Sequence, residues 1–458
     1  MKRLFLLSIT AGILVSILHF SCKKFVQVAA PETMAEQGRI FESDLTATSA
    51  VVGVYTSMIS GTGNPFNGGI TIYDALYADE LSSAATNSTT EPFRSNSLLA
   101  DNPTIATLWL SSYRYIYQTN ACLEGLQSSP SLSVAVKKQL LGEMYYTRAW
   151  IYFNLVNLFG DVPLITTTDY QVNSIMARTK AGAVYEQIVA DLQQARAQLA
   201  GVTASANTRP GVMAATALLA KVYLFLGNNQ QASVLASEII ESGKYNMEGA
   251  ADVFLATSKE TIFQLSKSNG NVAEATMLLP SSATAKPTYT LADQLFASFE
   301  AGDARKTNWV KTVTLSGVSY SYPYKYRNRA TTPITEYLVV QRLAETMLIR
   351  AEARAREGNL PGAIDDVDIV RKRAGLPLIK NTNPNISQGD LITAILKERR
   401  IELFAEWSNR WFDLKRTGLA DAVLGPLKAP NWQATDKLFP LPAGQLLVNT
   451  FLTQNQGY

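Results

Sequence analysis

The sequence AKVYLFLGNNQQA, residues 220–232, carries the clearest indication of the fold that this chain is expected to adopt. A second stretch, AEARAREGNLPGA at residues 351–363, carries Ala, Gly, Asn and Ala at the same offsets. In each stretch Gly supplies the left-handed conformation that ends a helix, and the next Ala allows close packing. Both stretches therefore predict two helices joined across a Gly-Asn turn.

This pattern resembles the helix-turn-helix hairpin of tetratricopeptide repeats, which bury their apolar faces by stacking on their neighbours. The two copies begin 131 residues apart, so the tandem period of about 34 residues is missing. The alternative is that two unrelated helical hairpins share a Gly-Asn turn and an alanine.

Upstream of these stretches, apolar residues recur at helical spacing over 137–159, and Gly160 and Pro163 end that run. Further helices are predicted at 183–199, 211–226 and 231–240. Two stretches, 61–101 and 245–335, interrupt the helical pattern, and the second contains short strand-like runs at 261–265 and 313–315. We therefore expect a mostly α fold, with helical hairpins packed against a less regular, loop-rich lobe that holds a few short strands.

The composition excludes several classes of function. The 458 residues include a single histidine, His19, and two cysteines, Cys22 and Cys122, so histidine-based catalysis, histidine metal sites and a disulfide framework are not expected. A net charge of +3, with no Lys/Arg-rich stripe, argues against a nucleic-acid partner. No cofactor or metal is predicted.

The N-terminal sequence has the pattern of an export signal. Residues 1–21 carry two positive charges, then an apolar run, then small or apolar residues before Cys22. A retained membrane anchor is the alternative interpretation. The sequence LHFSC at 18–22 resembles a bacterial lipobox, which would make Cys22 the lipid attachment site and the first residue of the mature chain. Cys122 would then be a buried structural thiol.

Several ordered motifs lie in the last third of the chain: RLAETMLIRAE at 342–352, VRKRAGLP at 370–377, ERRIEL at 398–403, RWFDLKR at 410–416, FPLP at 439–442 and QNQGY at 454–458. Upstream are EMYYTRA at 143–149, LFGDVPL at 158–164 and VY at 54–55. Taken in this order, the motifs closely resemble the SusD/RagB family of nutrient-binding outer-membrane lipoproteins of Bacteroidetes.

The resemblance implies one domain over 22–458, in which four tetratricopeptide-like helix pairs support an irregular lobe that carries the ligand site. It implies a lipid-anchored protein on the outer membrane, facing the exterior, that covers a SusC-like TonB-dependent transporter and captures oligosaccharides. A peptide-binding, RagB-like role and a purely structural lid are the alternatives.

Two groups of charged residues could suggest enzymatic or anion chemistry. The cluster at 398–416 has mixed signs and apolar residues at helical intervals, so it predicts a helix with a buried seam and internal ion pairs. Neither Asp79-Glu80 nor Asp365-Asp366 has sequence support as a glycosidase pair. We expect no catalysis, a helix-surface or capping role for Asp365-Asp366, and a binding role for Asp79.

A sugar site requires flat aromatic faces framed by amide, carboxylate or Arg groups. The irregular stretches supply such side chains, although an aromatic residue in a loop often packs the loop onto its scaffold instead. In SYSYPYKYR at 319–327 the tyrosines alternate, so one strand face would be lined with rings. With Asp79, the candidate ligand-binding residues are Phe66, Tyr73, Tyr77, Asn87, Phe93, Arg94, Trp309, Tyr320, Tyr322 and Tyr324.

Overall fold

Helices dominate the computed structural model, which describes residues 37–84, 89–202, 207–267, 270, 272–330 and 332–458. The helices are Gln37–Ile40 (α1), Asp44–Met58 (α2), Ile70–Tyr77 (α3), Glu91–Ser95 (α4), Pro103–Ser128 (α5), Val134–Phe159 (α6), Tyr170–Asn173 (α7), Ala181–Leu199 (α8), Val212–Phe225 (α9), Asn229–Glu241 (α10), Ala273–Leu278 (α11), Asp293–Ala297 (α12), Ala304–Trp309 (α13), Leu343–Arg356 (α14), Leu360–Arg373 (α15), Ile379–Thr382 (α16), Gln388–Glu402 (α17), Asn409–Arg416 (α18), Ala420–Leu427 (α19) and Ala443–Val448 (α20). A π turn lies at Pro65–Gly69 and a 3-10 helix at Ala434–Lys437. The strands are Leu81–Ser83 (β1), Thr261–Leu265 (β2), Tyr289–Leu291 (β3), Val310–Leu315 (β4), Val318–Pro323 (β5) and Leu338–Arg342 (β6). The mostly α fold class is confirmed.

The long helices follow the predictions from periodicity closely. Helices α6, α8, α9 and α10 cover the four predicted runs, with ends that shift by a few residues. Helix α6 ends where Gly160 adopts a φ of 73°, a left-handed conformation that residues with a Cβ rarely adopt. Successive helices pack in a row, α5 on α6, α6 on α8, α8 on α9, α9 on α10, and α10 on α14.

The two Gly-Asn turns have the same geometry. Gly227 and Gly358 adopt φ values of 75° and 83°, and the amides of Asn228 and Asn359 each donate to a carbonyl five residues earlier, both at 2.9 Å. Each Asn side chain then caps the next helix. Because α10 packs on α14, the α9–α10 and α14–α15 hairpins stack side by side despite their separation in sequence. The structure therefore contains the two predicted hairpins as neighbours.

Removing either cap should weaken its hairpin to a similar extent. We expect Asn228→Ala and Asn359→Ala each to lower the free energy of unfolding by about 1 kcal/mol, because a backbone N–H at the helix start loses its acceptor. Urea denaturation followed by circular dichroism measures the change. Gln230→Ala, an exposed change two residues after Asn228, is the control and should have almost no effect. Equal stabilities for all three variants would contradict the capping role.

Short strands join the two irregular stretches. Strand β1 pairs antiparallel with β3, with Leu81 opposite Leu291 and Ser83 opposite Tyr289. The β4–β5 hairpin packs with β5 beside β3, and β2 pairs with β6 at the start of α14. The first stretch is more helical than the sequence suggested, because its apolar islands form α3. Residues 61–101 and 245–335 thus meet in one place.

The charge cluster at 398–416 differs from its prediction. It forms two helices, α17 and α18, separated by a turn in which Ala405, Trp407 and Ser408 have positive φ. The Trp407 indole donates to the Val339 carbonyl at 2.7 Å, and the Ala405 amide donates to Glu80 at 3.1 Å. These contacts to distant elements fix the turn, so helical spacing alone could not have placed it.

The ion pairs of this cluster also reach other elements. Arg399 pairs with Asp413 at 2.8 Å, which joins α17 to α18. Glu402 lies among Arg305, Arg342 and Arg373, from α13, β6 and α15. The prediction of ion pairs within one helix is confirmed only for Asp413 and Arg416 of α18, which lie 2.7 Å apart, because the other charges hold several elements together.

The second acidic pair has a structural role. Asp366 is buried and accepts hydrogen bonds from Arg350 at 2.7 and 3.0 Å, which ties α15 to α14, while Asp365 is exposed. Asp366 is therefore a buried ion-pair partner and neither a surface charge nor a cap.

Cys122 is buried, as predicted, and burial raises the pKa of its thiol to about 12. Cys22 and the predicted signal, 1–21, lie outside the described residues. Among the helices of the described part of the chain, none has the length and apolar character needed to cross a membrane.

Candidate ligand-binding groove

An open groove of about 340 Å³ lies where the two irregular stretches meet. Strands β1 and β3 form its wall, α4 and the start of α12 border it, and the turn after α19 closes one side. The side chains that face it carry mainly hydroxyl, amide and charged groups. Its lining residues are Ala78, Asp79, Leu81, Ser82, Arg94, Ser95, Thr290, Leu291, Ala292, Asp293, Gln294, Leu427, Lys428, Ala429 and Asn431.

The turn after α19 is fixed to α4 by hydrogen bonds. The Lys428 ammonium donates to the carbonyls of Leu76 and Arg94 at 2.8 and 2.7 Å. The Asn431 amide donates to the Ser95 carbonyl at 3.0 Å. These bonds join segments more than 330 residues apart, so one side of the groove depends on long-range pairing.

Asp79 lies at the floor of the groove and already has partners. Its carboxylate is buried and accepts bonds from Arg410 at 2.7 and 3.0 Å, and Arg400 lies 2.7 Å away. Burial would raise the pKa of Asp79, but the bonds and charge of Arg410, together with Arg400, bring it below its usual value. In this structure Asp79 therefore holds two arginines in place beneath the groove.

Glu80, next to Asp79, is in a different state. It is buried, and the one hydrogen-bond partner of its carboxyl among the described groups is the Ala405 amide. Burial raises the pKa of Glu80 to about 8, so its carboxyl is mainly protonated at neutral pH. This acid therefore adds little negative charge to the floor.

The tyrosines of β5 lie beside the groove wall. Tyr320 and Tyr322 share one strand face, opposite Val313 and Lys311 of β4, as their alternation predicts. Tyr320 and Tyr324 are half-buried and Tyr322 is buried, with the rings of Tyr322 and Tyr324 6.4 Å apart. The Lys286 ammonium lies 5.0 Å from the centre of the Tyr320 ring. The partly open rings of Tyr320 and Tyr324 are thus available at this edge.

Residues 61–101 contribute fewer solvent-accessible groups to the groove than the sequence predicted. Arg94 lines the groove, and its Nε donates to Glu91 at 2.9 Å. Tyr73 is half-buried and stacks on Phe93 with ring centres 5.1 Å apart. Asn87 lies outside the described residues. Asp79 and Arg94 are therefore the predicted residues that line this groove directly.

Four predicted rings face the protein core instead. Phe66, Tyr77, Phe93 and Trp309 each have an exposed fraction of 0%. Phe66 packs 4.6 Å from Trp150, and the Trp309 indole donates to the Ala250 carbonyl at 2.6 Å. With no accessible face, these rings cannot stack on a ligand in this conformation, and they fasten the irregular segments to the scaffold.

Sequence reasoning missed most of the polar groups that line the groove, among them Ser82, Gln294, Lys428 and Asn431. The first two lie within the stretches that were singled out, but they are neither aromatic nor charged. Lys428 and Asn431 follow a helix near the C-terminus, where no local pattern marks a site. The position of Lys428 and Asn431 in the groove is set by their hydrogen bonds to α4, which only the structure shows.

The fold and the groove together define a helical-hairpin protein with an open, polar groove in its irregular lobe. Residues 41–224 match a family model described as starch-binding and associating with the outer membrane, and residues 304–458 match the SusD family model. The chain belongs to the SusD/RagB family.

Known relatives agree over nearly the whole chain. SusD-like protein P2 of Formosa agariphila is 27% identical, over 94% of this chain and 95% of its own length. The structure of a SusD superfamily protein from Bacteroides vulgatus superposes with a TM-score of 0.80 at 20% identity, covering 91% of this chain and 99% of that one. A laminarin-binding SusD-like protein superposes with a TM-score of 0.75 at 25% identity, covering 91% and 100%.

Proposed function

We propose that this protein is a non-catalytic glycan-binding protein that delivers oligosaccharides to a SusC-like TonB-dependent transporter. The observation that carries the proposal is the pairing of β1 with β3, which creates a groove of hydroxyl, amide and charged groups beside the partly open rings of Tyr320 and Tyr324. Such groups suit the hydroxyls and C–H faces of sugar rings. The laminarin-binding relative of similar fold supports a glycan as the ligand.

The same proposal includes the location of the protein. Cys22 would carry the lipid anchor, residues 1–21 would be removed, and residues 22–458 would form one domain on the outer face of the outer membrane. Support comes from the family description, which associates these proteins with the outer membrane, and from relatives that match along nearly the full length. Mass spectrometry of the protein purified from membranes would test the acylation of Cys22.

Isothermal titration of the mature protein against a panel of oligosaccharides and peptides tests the ligand class. We expect a dissociation constant in the millimolar to micromolar range, roughly −4 to −8 kcal/mol, for at least one oligosaccharide. Binding to peptides alone would overturn the glycan assignment and favour a RagB-like role. Binding to neither class would favour a structural lid. A labelled oligosaccharide should remain uncleaved after prolonged incubation.

Tyr320 offers the sharpest single-residue test of this site. Tyr320→Ala should weaken binding of the best oligosaccharide about tenfold, or about 1.4 kcal/mol, because a partly open ring beside the groove is lost. The matched control is Tyr170→Ala, which removes a ring that is 80% exposed on the separate helix α7. If the two variants lose affinity to the same extent, or if neither loses affinity, Tyr320 does not contact the ligand.

A further inference from the structure

Lys428 is a cation without an ionic partner at the edge of the groove. Its ammonium has three donors, and two of them bond the Leu76 and Arg94 carbonyls. Among the described residues no carboxylate lies within ion-pair distance of it, although Lys428 lines the groove. One donor is therefore left for a ligand, and although burial lowers the pKa of Lys428 to about 8, its ammonium is mainly protonated at neutral pH.

The floor of the groove adds to this positive charge. Arg400 and Arg410 share the single carboxylate of Asp79, and the neighbouring Glu80 is mainly neutral because burial raises its pKa. The buried Nε of Arg400 has no hydrogen-bond partner among the described groups. Two guanidinium groups against one carboxylate leave an excess of one positive charge beneath Lys428.

Negative groups near the groove do not cancel this excess. Glu91 is held by Arg94 of the same short helix, and Asp293 is exposed at the rim, where water screens its charge. At the adjoining tyrosine face, Lys286 and Lys311 lie over the rings of Tyr320 and Tyr324. The charged residues that line the groove are balanced, and the excess positive charge comes from the neighbouring Arg400, Arg410, Lys286 and Lys311.

We propose that the groove accepts an anionic group of the ligand, a carboxylate or a sulfate carried on a sugar ring, with Lys428 as its principal cationic contact. This inference rests on the proposed function and specifies the glycan class. A charged donor bonded to an anion is roughly twice as strong as a neutral hydrogen bond, and the rim hydroxyl and amide groups remain for the sugar hydroxyls. A neutral glycan would leave the Lys428 charge unpaired.

Calorimetric titration of the mature protein with three hexasaccharides provides the test: hexagalacturonate for a carboxylate, a carrageenan hexasaccharide for a sulfate, and laminarihexaose as the neutral probe. We expect one of the two anionic glycans to bind at least about tenfold tighter than laminarihexaose. That preference should shrink as sodium chloride rises from about 20 to about 200 mM, since salt screens charge pairs that water can reach. Comparing the affinity for hexagalacturonate with that for the carrageenan hexasaccharide shows whether the groove prefers a carboxylate or a sulfate.

Substitutions at Lys428 and at a control lysine test whether Lys428 is the cationic contact of the ligand. Because Lys428 also holds one side of the groove, the readout is the ratio of the two affinities: Lys428→Met should lower the preference for the anionic glycan over laminarihexaose about tenfold. Lys437→Met, on the same segment but paired with Asp421 at the surface, should change neither affinity. Lys428→Arg, which keeps the charge, should retain the preference. If Lys428→Met does not fold, the salt dependence of the preference for anionic glycans, measured on the unaltered protein, still tests the proposal.

The possible failures are distinguishable. Equal affinity for the neutral and anionic hexasaccharides, or a preference that Lys428→Met leaves unchanged, would overturn the anionic assignment while the glycan-binding proposal stands. Binding to none of the three and to no other oligosaccharide of the panel would overturn both.

Discussion

Replacing Glu402 by Gln should lower the free energy of unfolding by about 3–5 kcal/mol, one of the two largest effects expected in this protein. The Glu402 carboxylate is fully buried at the end of α17. It accepts bonds from Arg305 at 3.0 Å and from Arg342 at 2.5 Å, and it also contacts Arg373. Removing this charge leaves buried guanidinium groups from three elements without their shared partner.

Urea denaturation followed by circular dichroism measures this effect. The control is Glu357→Gln, an exposed carboxyl beyond the end of α14, which should change stability by less than about 0.5 kcal/mol. A loss below about 1 kcal/mol for Glu402→Gln would mean that the network contributes little.

The pH dependence gives an independent check on the same residue. Burial would raise the pKa of Glu402, but Arg373, Arg342 and Arg305 bring it well below its ordinary value of 4.5. Stability from this carboxylate is therefore fully present above about pH 4.5 and is lost as the pH falls toward the folded pKa. The unaltered protein should lose more stability than Glu402→Gln over this acid range, and identical acid profiles would contradict the assignment.

Trp309→Ala should be comparably destabilising, by about 3–5 kcal/mol, because it removes one of the largest fully buried side chains and leaves a cavity. The indole donates to the Ala250 carbonyl at 2.6 Å. The Lys325 ammonium lies 4.7 Å from the ring, and the Arg373 guanidinium 5.0 Å from it. Thermal denaturation should show a clearly lowered midpoint.

This outcome separates a structural role for Trp309 from the ligand contact that its loop position suggested. Trp309→Phe should recover part of the stability, whereas Tyr320→Ala, at a half-buried ring, should lower the midpoint much less. A Trp309→Ala protein with an unchanged midpoint and lost glycan binding would show instead that the ring touches the ligand.

The helical scaffold could be predicted because its signals are local. The periodicity of 137–159 is a property of one helix, and the glycines of both Gly-Asn turns are required by a single backbone conformation. The break at 403–408 could not be predicted, since Trp407 and Ala405 are held by Val339 and Glu80, which lie far away in sequence.

The site was predicted less well, for the same physical reason. The alternation of Tyr320 and Tyr322 gave their shared face, because strand geometry is local. Loop aromatics such as Phe66 and Trp309 carry no local mark that distinguishes a ring facing the core from one facing a ligand. Lys428 enters the groove through bonds across more than 330 residues, and no pattern in its own segment records them.

The stacking of α10 on α14 has a consequence for the path of the chain between them. The chain leaves the row of helices after Glu241 and rejoins it at Leu343, so 242–342 form an excursion between two neighbouring hairpins. Its two ends are fastened together where β2 pairs with β6 and Glu260 meets Arg342 at 2.9 Å. The excursion thus brings β3 and the tyrosine face to the groove while the two hairpins on either side of it remain neighbours.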